Sequence, residues 1–536
     1  MRIGRRLSLA ADGKLTVLRF PRSERSGENF FAAPKQTVLS HKSSSLAHTC
    51  VDMNETADPD KTITGTLQDD RARMRTLLPA EDIFTYDFED MAGRPFTCFF
   101  ADALTDKDLL SQQVFAPLQH ADTKEGTEAV RTEIRAPEVR TEKELSKLAD
   151  EVLAGNPVIL WEGGKEGIVV GTKKAPLRTI AEPPTDIAIK GPREGFIEDV
   201  KTNSALVRKR LKTGELMMDT LTVGRRSQTV VMICYLKGTC RDDIVQAVKD
   251  KVEAIDIDTI PDSSYLARFL SDRPYSLVKQ VGTTEKPDIF CAKLAEGRVG
   301  LLVDGSPIAL TLPYMLVEDF QSGEDYFVPA FRATFMRFLR LFALIVAIYL
   351  PAFYVSAQLF KLQLLPVKLL LTIAGSIRDI PLSPSLEMLL VLLVLEVLNE
   401  ASIRMPKYVG MALSVVGALV LGETAVSAGF VSTPAIIIIA FSGIGLYAVP
   451  NIIEETSIVR FAMLLAAGSV GTYGVILLTA FILIYLVSTE NFGVPLAAPF
   501  APFIRHDMRD AIAKYNLHSL KTRPGALRSP NKRRLK

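Results

Sequence analysis

The sequence predicts two joined fold classes: an α/β cytoplasmic N-terminal region in two subdomains, and an all-α polytopic transmembrane bundle after it. The first observation is the distribution of charge in the 536 residues, since residues 1–340 are about 29% charged, whereas residues 341–504 contain 14 charged residues, roughly 9%. The second is that the charge-poor part contains long apolar runs, which suit a bilayer. The third is that short β-branched runs alternate with helical patterns in the charged part. A single soluble enzyme is therefore excluded.

The charged part divides into three predicted segments. Residues 1–60 are polar and rich in Ser and Lys, which predicts a flexible arm. Residues 61–155 contain helical patterns and predict a mostly helical subdomain. Residues 156–335 predict an α/β subdomain, because two apolar runs flank a Gly-containing turn at 158–170 and again at 299–310. These two hairpins are similar, but the similarity is too short to establish an internal repeat.

The charge-poor part predicts a transmembrane domain of four to six helices over residues 336–490. Its four clear spans are 341–360, 408–430, 433–451 and 461–488, and its two weaker spans are 362–377 and 384–399. An even number of spans places both ends of the chain on one side. The arginines before the first span and the basic residues after the last one place that side in the cytoplasm. Residues 491–536 predict a proline-containing segment and a basic C-terminal tail.

Several function classes are excluded by composition and by the lack of motifs. The net charge of +2 does not indicate a nucleic-acid partner. The five cysteines are scattered without CxxC or Cys/His metal spacing, so we expect neither a metal nor a disulfide framework, and the compartment is predicted to be reducing. No GxSxG, P-loop or HExxH motif occurs, so we expect no enzyme activity and no cofactor.

The ionisable residues inside the apolar part are the candidate functional residues. Glu396, Glu400 and Arg404 are spaced by four and share one face of a helix, and Glu387 lies in the same weak span. Glu423 lies among small residues in a clear span. A buried carboxylate in lipid needs a partner or water, so these residues indicate either an ion path or a pair that couples helices. Both interpretations stay open for Glu423, whereas a structural pair is favoured for Glu400 with Arg404.

Ordered blocks in the chain resemble the GerA family of spore germination proteins. They include GPREGFIEDVKTNSALVRKRLKTGEL at 191–216, EGRVGLLVDGSPIALTLP, SGEDYF and NEASIRMPKYVGMALSVVGALVLGETAVSAGFVS. The resemblance covers about residues 80–503. The soluble-domain positions that carry it, expected to be structural or at an interface, are Gly191, Pro192, Arg193, Glu194, Phe196, Glu198, Asn203, Arg208, Arg210, Gly224, Arg225, Asp256, Asp258, Glu285, Pro287, Asp288, Asp304, Gly305, Pro307, Asp325 and Tyr326.

The resemblance implies an A subunit of a nutrient germinant receptor, in the spore inner membrane. Such a subunit is expected to form homo-oligomers and to work with a transporter-like B subunit and a lipoprotein C subunit. It would convert the sensing of amino acids or sugars into ion release. A secondary transporter, or a sporulation-stage protein linked to dipicolinate movement, is the alternative. The chain departs from the family pattern at Asn399, where the family usually has Arg, and at Glu423, where Gln is common, which makes its bundle more acidic.

Overall fold

The computed structural model of the chain describes residues 62–121, 126–174, 190–273, 275–378, 380–404, 417 and 420–535. The predicted arm at 1–60 and most of the predicted span at 408–430 lie outside these residues. The described chain contains two five-stranded sheets, a region of apolar helices, and a C-terminal segment that returns to the second sheet.

The first sheet lies within residues 83–170 and is antiparallel throughout, with the strand order β1-β2-β4-β5-β3. Its strands are β1 (Ile83–Glu89), β2 (Pro95–Ala101), β3 (Val139–Glu142), β4 (Val158–Trp161) and β5 (Gly167–Val170). Its helical segments are Leu67–Leu77, Lys107–Leu110, Ser111–Phe115, Ala116–Gln119, Thr127–Glu133 and Leu145–Ala154. Two apolar clusters form around it, one containing Leu148 and Val152 and the other containing Phe96 and Trp161.

This sheet adds to one sequence-based expectation and corrects another. Residues 61–155 contain helices, as predicted, but β1, β2 and β3 also lie among them. The segments IFTYDFE and PFTCFFA are rich in aromatic and β-branched residues, which favour strands, and they pair in full register from Ile83 with Ala101 to Glu89 with Pro95. The boundary at residue 156 is wrong, because the hairpin of β4 and β5 completes this first sheet and does not begin the second.

The second sheet lies within residues 216–312 and has the order β6-β7-β9-β10-β8. Its strands are β6 (Leu216–Val223), β7 (Thr229–Leu236), β8 (Gly282–Thr284), β9 (Val299–Val303) and β10 (Ala309–Leu312). Its helices are Val200–Arg210, Asp242–Glu253, Ser263–Leu270 and Pro287–Glu296, followed by 3-10 turns at Leu316–Phe320 and Gly323–Tyr326.

The two sheets have the same strand order when their strands are counted from one to five, and both are antiparallel. The two similar hairpins noted in the sequence occupy equivalent places, as the third and fourth strands across each sheet. The short sequence likeness at 158–170 and 299–310 therefore corresponds to a repeated topology.

The helical region begins with one long helix, Ala330–Phe360, called the long helix below. The helices after it are Val367–Ile377, Pro384–Arg404, Ala425–Ser427, Thr433–Leu446, Ile453–Val470 and Thr472–Val487. A π-helical turn at Val420–Thr424 precedes the short helix Ala425–Ser427. The predicted single span at 461–488 is broken at Gly471, which has a φ of +69°. A Cβ atom there would lie 2.7 Å from the Phe360 ring, so the break needs glycine.

Judged by length and composition, the long helix is the one described helix that could cross a membrane unaided. A second span is obtained if Thr433–Leu446 and Pro450–Val470, which meet at 104°, are counted together. Thr472–Val487 is apolar but shorter. The prediction of four to six spans therefore stays a prediction.

The C-terminal segment, residues 490–535, is not a free tail as its basic composition suggested. It packs apolar side chains, among them Val494, Ala511 and Leu527, against Met315 and Val317 beside the second sheet. The Oγ of Ser529 donates a hydrogen bond of 2.5 Å to the carbonyl oxygen of Thr239, and Nε of Arg523 donates one of 2.7 Å to that of Ala295. The apolar residues between the charges of this segment therefore decide where it lies.

Candidate functional site

A cluster of buried and partly buried charged residues lies where the α/β region meets the long helix. Asp325 lies in the 3-10 turn Gly323–Tyr326, which Ser322 caps, and the long helix begins four residues after Tyr326. Arg337 and Arg340 are three residues apart and share one face of that helix. Nε of Arg337 and Nη1 of Arg340 both lie 2.9 Å from Asp325 Oδ2, and Nη2 of Arg340 lies 2.9 Å from Oδ1. One carboxylate therefore fixes the direction in which the helix leaves the α/β region.

The C-terminal segment completes this cluster. Nη1 of Arg337 donates to the carbonyl oxygen of Asp510 at 2.6 Å, to Asp510 Oδ1 at 3.0 Å and to the carbonyl oxygen of Ala511 at 2.8 Å. The Tyr326 hydroxyl donates to Asp510 Oδ2 at 2.9 Å, and Lys514 Nζ donates to the carbonyl oxygen of Asp325. We call Asp325, Tyr326, Arg337, Arg340, Asp510 and Lys514 the junction.

The junction is both buried and charged. Arg337 is 0% exposed, so its charge depends on Asp325 and Asp510 for compensation. Burial opposes the ionisation of Asp325, but hydrogen bonds from Arg340 and Arg337 outweigh it and hold the pKa of that carboxyl below its usual value. Burial, together with the charge of Arg337, lowers the pKa of Lys514. Removal of Asp325 would leave the fully buried charge of Arg337 with Asp510 as its remaining carboxylate partner.

A second ion-pair network lies beside the junction, around Glu318. Its carboxylate contacts Arg298 Nη1, lies 2.8 Å from Lys293 Nζ and accepts a hydrogen bond of 2.7 Å from the Met315 amide. Burial alone would raise the pKa of Glu318, but Arg298 and Lys293 outweigh it and lower this pKa to about 2. Between this network and the C-terminal segment lies a cavity of about 60 Å³. Its charged lining is Glu296, Arg298, His506, Asp507, Asp510, Arg523 and Arg534.

A third set of contacts joins the second sheet to the ends of the apolar helices. The loop before β8 carries Lys279, whose Nζ lies 2.6 Å from Asp319 and donates at 3.2 Å to the carbonyl oxygen of Asn451. Arg273 of the same loop donates to the carbonyl oxygen of Ser488 at 3.0 Å, and the Tyr485 hydroxyl shares a hydrogen bond of 2.8 Å with the Ser276 hydroxyl. The break at Asn451 and the end of the last apolar helix at Ser488 are thus tied directly to the α/β region.

The structure separates the candidate carboxylates of the helical region instead of gathering them. Glu400 and Arg404 form an exposed pair at 2.7 Å, as their spacing predicted. Glu423 is exposed in the π-helical turn. Glu387 is 1% exposed and accepts a hydrogen bond of 2.5 Å from the Ser432 amide.

Glu396 has a partner that the sequence analysis missed. Its Oε1 contacts Nη2 of Arg460, a fully buried arginine on Ile453–Val470, and accepts a hydrogen bond of 2.8 Å from Ser457. Nη1 of Arg460 also donates to Ser442 at 3.1 Å. A signal was present in the sequence, since a single arginine in an apolar run requires a buried partner.

The positions that carried the family resemblance lie in several separate contacts. Arg208 is 1% exposed, donates to both oxygens of Asp82 at 3.0 and 2.6 Å, and joins the helix Val200–Arg210 to the start of β1. Glu194 accepts hydrogen bonds from Lys209 at 3.0 Å and from Arg210 at 2.7 Å. Burial opposes ionisation of Glu194, but these two cations hold its pKa below the usual value.

Other positions that carried the family resemblance form hydrogen bonds that stabilise turns and the first turn of helices. Asn203 Oδ1 accepts from the Ile197 amide at 2.9 Å, and Asp304 Oδ1 accepts from the Val200 amide at 3.3 Å. Arg225 forms an exposed two-bond pair with Asp256, at 2.5 and 2.6 Å. The remaining backbone contacts are Phe196 N to Glu285 O, Gly305 N to Glu198 O and Arg226 N to Asp258 O.

Glycine and proline positions of the set have conformational roles. Gly191 has a φ of +119°, and a Cβ atom there would lie 2.7 Å from the Phe327 ring. Gly224 has a φ of +93° in the turn between β6 and β7. Pro287 begins the helix Pro287–Glu296, with Asp288 in its first turn. Pro192, Arg193 and Pro307 lie in loops. This set therefore maintains the α/β fold, and Asp325 and Tyr326 belong in addition to the junction.

Comparison with known proteins agrees with the sequence blocks. A family model described as "Bacillus/Clostridium GerA spore germination protein" matches residues 74–526. The chain is 32% identical over 439 residues to spore germination protein KA of Bacillus subtilis (strain 168), covering 81% of each chain. It is 33% identical over 436 residues to spore germination protein GerLA of Bacillus cereus, covering 80% of this chain and 89% of the relative.

One further relative and one solved structure complete the comparison. The chain is 34% identical over 403 residues to the uncharacterized membrane protein YfkQ of Bacillus subtilis (strain 168), covering 75% of this chain and 79% of the relative. The crystal structure of the N-terminal domain of the A subunit of the Bacillus megaterium spore germinant receptor GerK3 aligns with a TM-score of 0.38 and 19% identity. That alignment covers 48% of this chain and 98% of the solved one.

Proposed function

This chain belongs to the Bacillus/Clostridium GerA family of spore germination proteins, and from that membership we propose that it is the A subunit of a nutrient germinant receptor. In this role it converts the sensing of an amino acid or a sugar into ion release and germination. It works with a transporter-like B subunit and a lipoprotein C subunit, and it assembles with further copies of itself.

The proposal places the helical region in the spore inner membrane as a multi-pass domain, with both ends of the chain on the cytoplasmic side. The exposed apolar side chains support this placement. On the long helix they include Phe342, Ile345 and Phe353, and on Thr472–Val487 they include Ile476 and Phe481. Apolar surface of this extent suits lipid or another helix better than water.

The junction is the observation that carries the coupling part of the proposal. Arg337 is bound at once to the α/β region through Asp325 and to the C-terminal segment through Asp510. Because both carboxylates lie against one fully buried guanidinium, a tilt of the long helix separates charges at Arg337 and Asp325 where water has little access to replace the lost contacts. A movement of the long helix in the membrane is therefore transmitted directly to the second sheet, since the junction takes the place of a flexible linker.

A deletion strain tests the receptor role. Spores that lack this chain are compared with wild-type spores on a panel of single amino acids and sugars. We expect germination to be lost on at least one nutrient and restored by the wild-type gene. Unchanged germination on every nutrient would contradict the proposal.

The ion-release part needs a separate test. The chain is reconstituted in vesicles together with its B and C subunits, and ion efflux is followed when a nutrient that acts in the spore assay is added. We expect nutrient-dependent efflux. Vesicles that stay ion-tight, although the same complex supports germination, would remove conduction from the role of this chain.

A further inference from the structure

The cavity between the second sheet and the C-terminal segment is lined by arginines that the proposed function does not use. Its volume is about 60 Å³, and because one water molecule needs roughly 10–15 Å³, it has room for a group of about four or five non-hydrogen atoms. Arg298 directly precedes strand β9, whereas Arg523 and Arg534 belong to the C-terminal segment. A molecule bound in the cavity would therefore contact both parts of the chain.

Arg298 is a buried cation with an unused donor. It is 2% exposed, and its Nη1 donates a hydrogen bond of 2.9 Å to the carbonyl oxygen of Pro313 and contacts Glu318. Its Nη2 lies 3.6 Å from Glu296 Oε2, which is longer than a hydrogen bond. In the described part of the chain its Nε has no hydrogen-bond partner. Because a buried donor without an acceptor is uncommon and costly, Arg298 indicates a further acceptor in the cavity.

Arg523 and Arg534 add two cations that no carboxylate approaches closely. Arg523 donates to three main-chain carbonyl oxygens, at 2.7 Å to that of Ala295, and forms no ion pair with another described residue. Arg534 Nη1 lies 3.8 Å from Glu296 Oε1. Burial and the charge of Arg534 lower the pKa of Arg523. The repulsion between these two guanidiniums favours an anion beside them.

The acidic residues of the lining, in contrast, have donors of their own. Asp507 accepts hydrogen bonds of 2.8 and 3.0 Å from two main-chain amides, and Asp510 accepts from Arg337 and Tyr326 in the junction. Glu296 differs, since burial raises the pKa of its carboxyl. A carboxyl that takes up a proton can donate it to an oxygen of an anion. The unused hydrogen-bonding capacity of the lining is thus that of donors, which favours an anion over a cation.

The charge around the cavity indicates the class of anion. The junction, the network around Glu318 and the cavity lining together contain seven basic side chains and five carboxylates, with His506 counted as neutral. The excess of two positive charges suits a phosphate group, which carries about −1.5 to −2 at neutral pH. Guanidinium groups bind phosphate through paired hydrogen bonds. The five atoms of a phosphate ion also match the volume of the cavity.

We propose that the cavity binds one phosphate group between Arg298, Arg523 and Arg534, with Glu296 as the hydrogen-bond partner of a phosphate oxygen. The phosphate joins the C-terminal segment to the second sheet and stabilises the contact between them. It is supplied as the free ion or as a lipid headgroup, which present the same chemistry. The site goes beyond the proposed function, since binding here needs neither a nutrient nor a partner subunit.

Calorimetric titration of the purified full-length chain tests the site. The protein is held in detergent micelles in a phosphate-free buffer, and inorganic phosphate and a short-chain phosphatidic acid are titrated separately, each also into micelles without protein. We expect saturable binding at one phosphate per chain. Saturation by inorganic phosphate identifies the free ion, and saturation by the phosphatidic acid alone identifies a lipid headgroup. Failure of both to bind would overturn the proposal and assign the cavity to water.

Two neighbouring arginines provide a matched pair of variants. Arg534→Gln removes a cation from the lining and should weaken phosphate binding by about tenfold, which corresponds to the loss of one charge-assisted hydrogen bond. Arg533→Gln makes the same change at the preceding, exposed position, which does not line the cavity, and should leave binding unchanged. Equal binding by the wild-type and Arg534→Gln proteins would overturn the proposal.

Limited proteolysis measures the effect on the C-terminal segment. Phosphate should slow cleavage within residues 505–536 of the wild-type protein but not of Arg298→Lys, which keeps the charge and loses the planar group of donors. Because Arg298 is buried and its variant can fail to fold, Arg523→Lys at a half-buried position is the second variant and should show the same loss. Equal protection by phosphate in the wild-type and Arg523→Lys proteins would contradict the role of these guanidiniums.

Discussion

The two sheets of the α/β region share one strand order but differ in what they contact. The second sheet and its loops contact the long helix through the junction. They contact the other apolar helices through Lys279 and Arg273, and the C-terminal segment through Thr239 and Ala295. The first sheet is joined to the second through the buried pair of Arg208 with Asp82. The comparison teaches that a repeated topology can hold two different roles, because the charged loop residues and not the strand order determine which partner each sheet contacts.

The largest expected effect is at the junction. Arg337→Leu removes the fully buried cation that Asp325 and Asp510 share, although Asp325 keeps its bonds to Arg340, and we expect a loss of about 3 kcal/mol in the free energy of unfolding. Thermal and denaturant unfolding of the full-length protein in detergent measures it. Arg332→Leu, at an exposed position of the same helix, is the matched control and should cost little. Equal effects of both changes would remove the special role of the junction.

The next largest effect is the pH dependence that Glu318, beside the second sheet, gives to the free energy of unfolding. Since the folded-state pKa of Glu318 is lowered to about 2 from 4.5, its stabilisation is complete above about pH 4.5 and is lost as the pH falls toward 2. A depression of this size corresponds to about 3 kcal/mol. Unfolding followed from pH 6 to pH 2 should show a shallower pH dependence in Glu318→Gln than in wild type. The exposed Glu215→Gln should follow the wild-type curve, and a Glu318→Gln curve parallel to wild type would contradict the assignment.

A smaller effect tests the connection between the two sheets. Arg208→Leu removes two hydrogen bonds to Asp82, and we expect a cost of about 2 kcal/mol together with faster proteolysis of the first sheet. Arg225→Leu breaks an exposed pair of the same two-bond geometry with Asp256 and should cost under about 1 kcal/mol. If both substitutions cost the same, burial does not decide the strength of these pairs.

The smallest expected change in stability is at Glu423. Because its side chain is exposed, Glu423→Gln should leave assembly and unfolding unchanged, while the rate of nutrient germination changes if the carboxylate lies on an ion path. Germination kinetics of spores that carry the variant measure this. Unchanged kinetics would contradict a role of Glu423 on an ion path, and Glu400→Gln in the exposed pair with Arg404 serves as the control.

Short-range features of the fold could be predicted from the sequence, and long-range pairs could not. The hairpin strands at 158–170 and 299–310 form, and Glu400 bonds Arg404, because turn residues and four-residue spacing act within one element. Arg460 lies 64 residues from Glu396, and Asp510 lies 173 residues from Arg337. Such pairs depend on how the elements pack against each other, and helix and strand periodicity relates only residues within one element.

The location of the C-terminal segment is another long-range feature that the sequence did not predict. Its ten basic residues from Arg505 onward predicted a basic C-terminal tail, yet Ala511, Ala526 and Leu527 are buried beside Met315. A few apolar residues among many charges decide the location, because the burial of each one removes apolar surface from water, while the arginines keep their charged ends at carbonyl oxygens and carboxylates.

The position of Asp510 and Lys514 in the chain has a consequence for biosynthesis. Both residues are translated after all of the apolar helices, so Arg337 leaves the ribosome about 170 residues before its second carboxylate partner exists. The α/β region can fold early, and Asp325 can bind Arg337 and Arg340 early, but the hydrogen bonds from Arg337 to Asp510 and Ala511 form only after the helices have been inserted and the chain has returned. The contacts of Arg337 are thereby formed in a fixed order. An expression fragment that stops before residue 505 keeps Arg337 but lacks Asp510, its second carboxylate partner.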